Sequence, residues 1–170
     1  IAGMDYAAAT DAMTVAINAF NLKAKESIKI TDIYSNLAAK AAVDQGELAN
    51  AMSKVASMAA SVGMSLETTS TFLTQIIETT REAPETAGTA LKTVLARFGE
   101  VKKLIDTGKS TGTTDEGEEV DVNKIDTALK TVGVRLTDTN GQMRALDKVI
   151  IELAEKWNSL DSMTQRYLAT

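Results

Sequence analysis

Glu78 and Glu82 stand four residues apart, the spacing that sets two carboxylates side by side on one helical face. Such a pair could share a proton, which is the starting material of general acid–base chemistry. Isolated carboxylates of this kind are common, and the pair reads as a solvated face close to a helix end. A second carboxylate cluster is denser: Asp115, Glu116, Glu118, Glu119 and Asp121. A calcium loop alternates its ligands and closes on a Glu at the twelfth position, whereas the order Asp-Glu-Gly-Glu-Glu-Val-Asp does neither. The chain contains neither Cys nor His. Disulfides, thiol nucleophiles, imidazole chemistry and the usual zinc sites are therefore excluded. Serine and threonine are plentiful, but a serine triad needs a histidine base. No phosphate-binding loop, dinucleotide fingerprint, zincin helix or EF-hand loop is present. The residues predict a protein that is not an enzyme, with no cofactor, no metal and no small-molecule substrate. A hydrolase of unknown type would need a concave pocket around a perturbed carboxylate.

The elements that would carry these residues are helical. Apolar residues make up 44% of the 170 but aromatics only 4%, which suits helices packed closely through small side chains with methionine filling gaps. Between Asp106 and Asp121 there are six acids against one base, Lys109, which accounts for the whole formal net charge of −5. The remainder is neutral on balance and has no basic stripe of the kind that binds nucleic acid. The longest uncharged run, Val55 to Leu66, is too short and too polar to span a bilayer. The chain opens on Ile1, as an excised piece of a longer protein would, and no signal peptide is visible.

Taken in order, Asp5 to Phe20 predicts a helix with Met13, Ala16, Ile17 and Phe20 on one face, closed by Asn21. A second is expected over Glu26 to Val43. Asp44-Gln45-Gly46-Glu47 has capping-box spacing for a third helix to about Val62, stopped by Gly63. Ser65 caps a fourth helix that buries Leu66, Leu73, Ile76 and Ile77. A fifth follows from Pro84, the only proline, with the stripe Leu91, Val94, Leu95, Phe98 and Val101. Residues 106–121 have no apolar face and read as an exposed, flexible acidic loop, either a partner-binding element or a tolerated surface insertion. Asn123 to Val132 predicts a short helix ending at Gly133. Val134 to Ala145, with Asn140-Gly141 at its turn, predicts a small β-hairpin. Leu146 to Leu160 is amphipathic, and Ser162 to Gln165 has capping-box spacing for a last helix. The expected fold is mainly α, a multi-helix bundle or array with one small β-hairpin near the C-terminus. Its parts are a five-helix unit at 1–105, the acidic loop at 106–121 and a C-terminal unit at 122–170, taken together as one domain.

Ala87, Gly88, Thr89 and Ala90 form a run of small residues inside the fifth helix. A helical glycine costs about 1 kcal/mol relative to alanine, so a packing reason is expected. The run reads as a helix-packing or partner patch; the alternative is a loop reaching Thr89, with the helix starting later. Leu91, Leu95, Phe98 and Trp157, the last the largest apolar side chain, are the expected core anchors.

Residues 3–43, from Gly-Met-Asp-Tyr-Ala-Ala-Ala-Thr-Asp-Ala-Met-Thr through Asn18-Ala19-Phe20 to Ala38-Ala39-Lys40-Ala41-Ala42-Val43, resemble the core region of phage tail tape measure proteins. So do Glu47-Leu48-Ala49-Asn50-Ala51-Met52 and Ala59 to Glu67, and above all Glu85-Thr86-Ala87-Gly88-Thr89-Ala90-Leu91-Lys92. The hairpin and the helix from Leu146 keep the family's order, so the likeness spans nearly the whole chain. It implies a non-catalytic virion protein of a phage or prophage. Such a protein acts in tail assembly, tail-length determination and DNA ejection through protein–protein contacts. Its implied partners are other tail proteins of the tube, tip or baseplate, or further copies of itself. Its implied location is the virion tail, and the host cytoplasm during assembly. The long ruler segment of the family is absent from these residues, so this piece is not expected to measure the tail alone. The acidic stretch 106–121 departs from the family pattern. The alternative is a cellular helical adaptor or signalling module that shares only the composition.

Overall fold

The computed structural model describes residues 1, 4–115 and 117–169. Gly3 of the tape measure likeness, Glu116 of the acidic stretch and Thr170 lie outside the described residues. The chain divides into two compact units, Ile1–Leu95 and Ala96–Thr170.

The first unit is built around one helix. α1 spans Tyr6–Ala19, α2 Ser27–Ala38, α3 Gln45–Ser61 and α4 Leu66–Thr80; α5 begins at Pro84 and runs to Asp106. α3 packs against α1, α2 and α4. It can do so because Ala49, Ala51, Ala56 and Ala59 keep its girth small, while Leu48, Met52 and Val55 fill the space between helices. Ala16 of α1, Ile30 and Tyr34 of α2 and Leu73 of α4 complete this core.

Caps fix the ends. Asp44 Oδ1 accepts from the Glu47 amide at 2.8 Å and Glu47 Oε2 accepts from the Asp44 amide at 2.8 Å, the reciprocal box expected from the sequence. Val43 and Leu48 flank that box and are both buried, the positions of a hydrophobic staple. Gly63, at φ +78°, ends α3, and the Ser65 hydroxyl accepts from the Thr68 amide to begin α4. α2 stops at Ala38 rather than Val43. The run Ala38-Ala39-Lys40-Ala41-Ala42 favours helix locally, but Asp44 must be extended (φ −96°, ψ 168°) to cap α3. The tertiary requirement overrides the propensity.

In the second unit the rest of α5 is followed by β1, Thr111–Thr113, and β2, Glu119–Asp121. α6 spans Val122–Thr131, α7 Leu146–Trp157 and α8 Ser162–Ala169. Among the described residues the fold is mainly α with one small antiparallel sheet, the class the sequence predicts, but the sheet lies earlier than expected. β1 and β2 pair Thr111 with Asp121, Gly112 with Val120 and Thr113 with Glu119. Regular structure thus occurs inside the acidic stretch read as a loop. Val120, 5% exposed, supplies the apolar anchor that the surrounding acids obscure. A methyl on Gly112 would lie 2.8 Å from Leu104 Cδ2, so the missing side chain lets β1 rest on α5.

Residues 134–145, expected to form the hairpin, make a single bridge, Thr137 with Met143. Val134 and Leu136 are fully buried, so this arm spends its alternation on the core rather than on a ladder. The Asn140-Gly141 turn is present, with Gly141 at φ +77° and Asp138 Oδ1 accepting from the amides of Asn140 and Gln142. The core of this unit is aliphatic: Val101, Leu104, Val120, Val122, Leu129, Val134, Leu136 and Val149. α8 is capped by Asp161, whose carboxylate accepts from the Met163 and Thr164 amides, not by Ser162 as the spacing suggested.

Candidate functional site

The small-residue patch lies in the first two turns of α5. α4 ends at Arg81, held in the left-handed region (φ 59°), with its amide donating to the Ile77 carbonyl at 2.9 Å. Pro84 then opens α5 without an amide to leave unpaired, and Glu85 occupies the first turn, where negative charge is favoured. The helix is therefore formed across the patch; no loop reaches Thr89.

One turn in, the patch divides. Ala87 and Gly88 are buried; Thr89 and Ala90 are exposed. A Cβ on Gly88 would stand 2.3 Å from the Ala51 carbonyl oxygen and 3.1 Å from Ala51 Cα. α5 thus approaches α3 backbone to backbone, and no side chain fits between them. Ala51 had no distinguishing feature in the sequence beyond being one more small residue in α3. On the opposite side, Glu85, Thr86, Thr89 and Ala90 line an open hollow, and the Thr89 hydroxyl donates to the Glu85 carbonyl at 2.8 Å.

The expected anchors differ in depth. Leu91 and Leu95 are buried in the first unit. Val94, placed on the same stripe from its spacing, is 52% exposed. The buried positions 87, 88, 91 and 95 define a narrow line, and Val94 falls just off it. Phe98 is half-buried. Trp157 is also half-buried: it is the last residue of α7, where its carbonyl accepts from the Gln165 side chain at 2.8 Å, and the aliphatic cluster forms without it.

Polar chemistry is dispersed. Among the described residues no group of His, Cys, Asp or Glu could hold a metal ion. No described helix is long and apolar enough to cross a membrane. Glu78 is half-buried and Glu82 exposed, and neither lines a described pocket. The hydrogen bond from Lys29 holds the Glu67 carboxyl below its ordinary value. The Arg144 guanidinium does the same for Glu152. The Glu118 carboxylate pairs with Arg97, fastening the acidic hairpin to α5. A groove of about 610 Å³ is lined by Lys130, Gly133, Val134, Arg135, Thr137 and Asp138. Its charged groups, Lys130, Arg135 and Asp138, are of mixed sign.

A close helix crossing in the first unit and an aliphatic core in the second define a mainly helical protein. The family model described as phage-related minor tail protein matches residues 1–170, and the chain belongs to that family. It is also similar to the tape measure protein of Pneumococcus phage Dp-1, at 28% identity over 153 residues. That match takes in 90% of this chain and 12% of the relative's length. The tape measure resemblance read from Glu85 to Lys92 and the segments around it is borne out at the level of the family. No solved structure matches the chain.

Proposed function

We propose that this chain is a non-catalytic structural part of a phage or prophage tail tape measure protein, acting through protein–protein contacts in tail assembly, tail-length determination and DNA ejection. The observation that carries the reading is the family match along all of residues 1–170, joined to the likeness to a named tape measure protein. Its partners are the proteins of the tail tube and the tip or baseplate, or further copies of itself. It resides in the virion tail, after assembly in the host cytoplasm. Family membership favours this reading over the cellular adaptor that composition alone would also allow.

The patch on α5 has two roles in this proposal. Ala87 and Gly88 serve packing within the first unit, supported by the burial of both and by the close approach of Gly88 to Ala51. Thr89 and Ala90, on the exposed side, remain open to contact. Capture of tail tube and tip proteins on the immobilised chain, from lysates of phage-producing cells, tests the reading. Retention of one of them, together with cross-links from this chain inside purified virions, is the expected result. Cross-links to host proteins alone, with no tail protein retained, would return the adaptor reading.

A further inference from the structure

Glu152, on α7, stands at the centre of the contacts that fasten residues 133–144. Arg144 Nη1 lies 2.8 Å from Glu152 Oε2 and also donates to the Arg135 carbonyl at 2.8 Å. Lys156 Nζ lies 3.6 Å from Glu152 Oε1 and donates to the Gly133 carbonyl at 2.7 Å. One carboxylate therefore joins two cations, and each cation holds a backbone carbonyl of the same segment. The Arg144 amide adds a bond to the Leu136 carbonyl at 2.9 Å, so Arg144 ties both arms of the segment together as well as to α7.

The anchoring along this segment is uneven. Val134 and Leu136 are fully buried. From Asp138 to Gln142 every residue is exposed, and the turn is held by the Asp138 amide to the Gln142 carbonyl and the Gly141 amide to the Asp138 carbonyl. Segments with few buried contacts and exposed hydrogen bonds open before the rest of a domain. Partly exposed ion pairs contribute modestly each, so a fastening made of them can be released. The segment also walls the groove: five of its six lining residues, all but Lys130, belong to it.

We infer that residues 137–144 form a strap latched to α7 through Glu152 and Arg144, opening locally while Val134 and Leu136 stay in the core, and so moving Thr137 and Asp138, which line the groove. This is independent of the role in the tail. Amide hydrogen exchange on the Glu152→Gln variant of the 170-residue chain tests it. The amides of Asp138, Gly141 and Arg144 should exchange about fivefold faster, while those inside α6 and α7 keep their rates. Unchanged strap rates would overturn the inference, and so would equal acceleration along α6 and α7, which marks loss of the whole unit. Lys130→Gln, which breaks the Lys130–Asp126 pair without touching the latch, should leave the three amides as they were; a matching acceleration would also overturn it. Should Glu152→Gln fail to fold, the unmodified chain gives the same reading in about 1 M salt, where charges are screened within about 3 Å. Selective acceleration of the strap amides is then expected, and salt-independent exchange counts against the latch.

Discussion

A methyl group added to Gly88 would sit 2.3 Å from the carbonyl oxygen of Ala51. That oxygen belongs to the backbone of α3 and cannot swing aside as a side chain would. The usual helix preference for alanine, about 1 kcal/mol over glycine, is therefore outweighed by overpacking, which typically costs about 1–3 kcal/mol. Gly88→Ala should lower the denaturation midpoint, and Gly88→Leu should lower it further. An unchanged or raised midpoint for Gly88→Ala would mean that the crossing is looser than this distance requires.

The start of α3 rests on two reciprocal bonds between Asp44 and Glu47. Asp44→Ala removes the acceptor for the Glu47 amide and should cost about 0.5–2 kcal/mol. Glu47→Gln keeps an acceptor for the Asp44 amide and should cost much less. Urea titrations of the two variants compare them directly, and equal losses would remove the side-chain box as the source of stability.

Arg81 holds a left-handed conformation (φ 59°) at the end of α4. A residue with a Cβ is disfavoured there by about 1–2 kcal/mol, whereas glycine adopts it freely. Arg81→Gly should therefore stabilise the fold, by roughly 1 kcal/mol once glycine's greater unfolded-state entropy is counted. A lowered thermal midpoint would show that the arginine side chain makes contacts worth more than the backbone strain.

Lys29 Nζ lies 2.6 Å from Glu67 Oε1, joining α2 to α4. The hydrogen bond from Lys29 lowers Glu67 from its ordinary 4.5, and the bond to Glu67 raises Lys29 from its ordinary 10.5. The Glu67 contribution is complete above the unfolded carboxylate value and fades as pH falls through the depressed folded value. The Lys29 contribution is complete below the unfolded amine value and fades as pH rises through the raised folded value. The pair therefore supports the fold between about pH 5 and pH 10, weakly, since both side chains are about half exposed. Thermal midpoints taken from pH 7 to pH 3 should fall less steeply in Glu67→Gln than in the parent. Parallel curves would mean that the pair contributes nothing measurable.

The helices of the first unit were legible because their signals are local. Asp44 and Glu47 sit three apart, Gly63 follows the last apolar position of α3, and Pro84 stands where an amide is dispensable. Each marks an end without reference to the rest of the chain. What escaped the sequence depends on distant partners. Val120 is one apolar residue among acids, and its burial requires Leu129, Val134 and Leu136 to arrive from elsewhere. Val94 matches the helical period of Leu91 and Leu95, but only the narrow approach to α3 decides that it faces outward. Ala51 is indistinguishable from its neighbours until α5 crosses it. The size of Trp157 suggests a core anchor, whereas its place at the end of α7 leaves it half-buried.

The acidic hairpin also has a kinetic meaning. Residues 106–121 carry a charge equal to that of the whole chain, so everything outside them sums to zero. Long-range attraction accelerates association only where a net field reaches out to the incoming molecule. A partner meeting a face whose own charges balance is steered less, and its capture there depends less on ionic strength. A partner that depends on the hairpin would instead slow as salt is added. The salt dependence of an association rate, compared between the parent and a chain with the acids of 115–121 neutralised, therefore reports whether the hairpin takes part in the encounter.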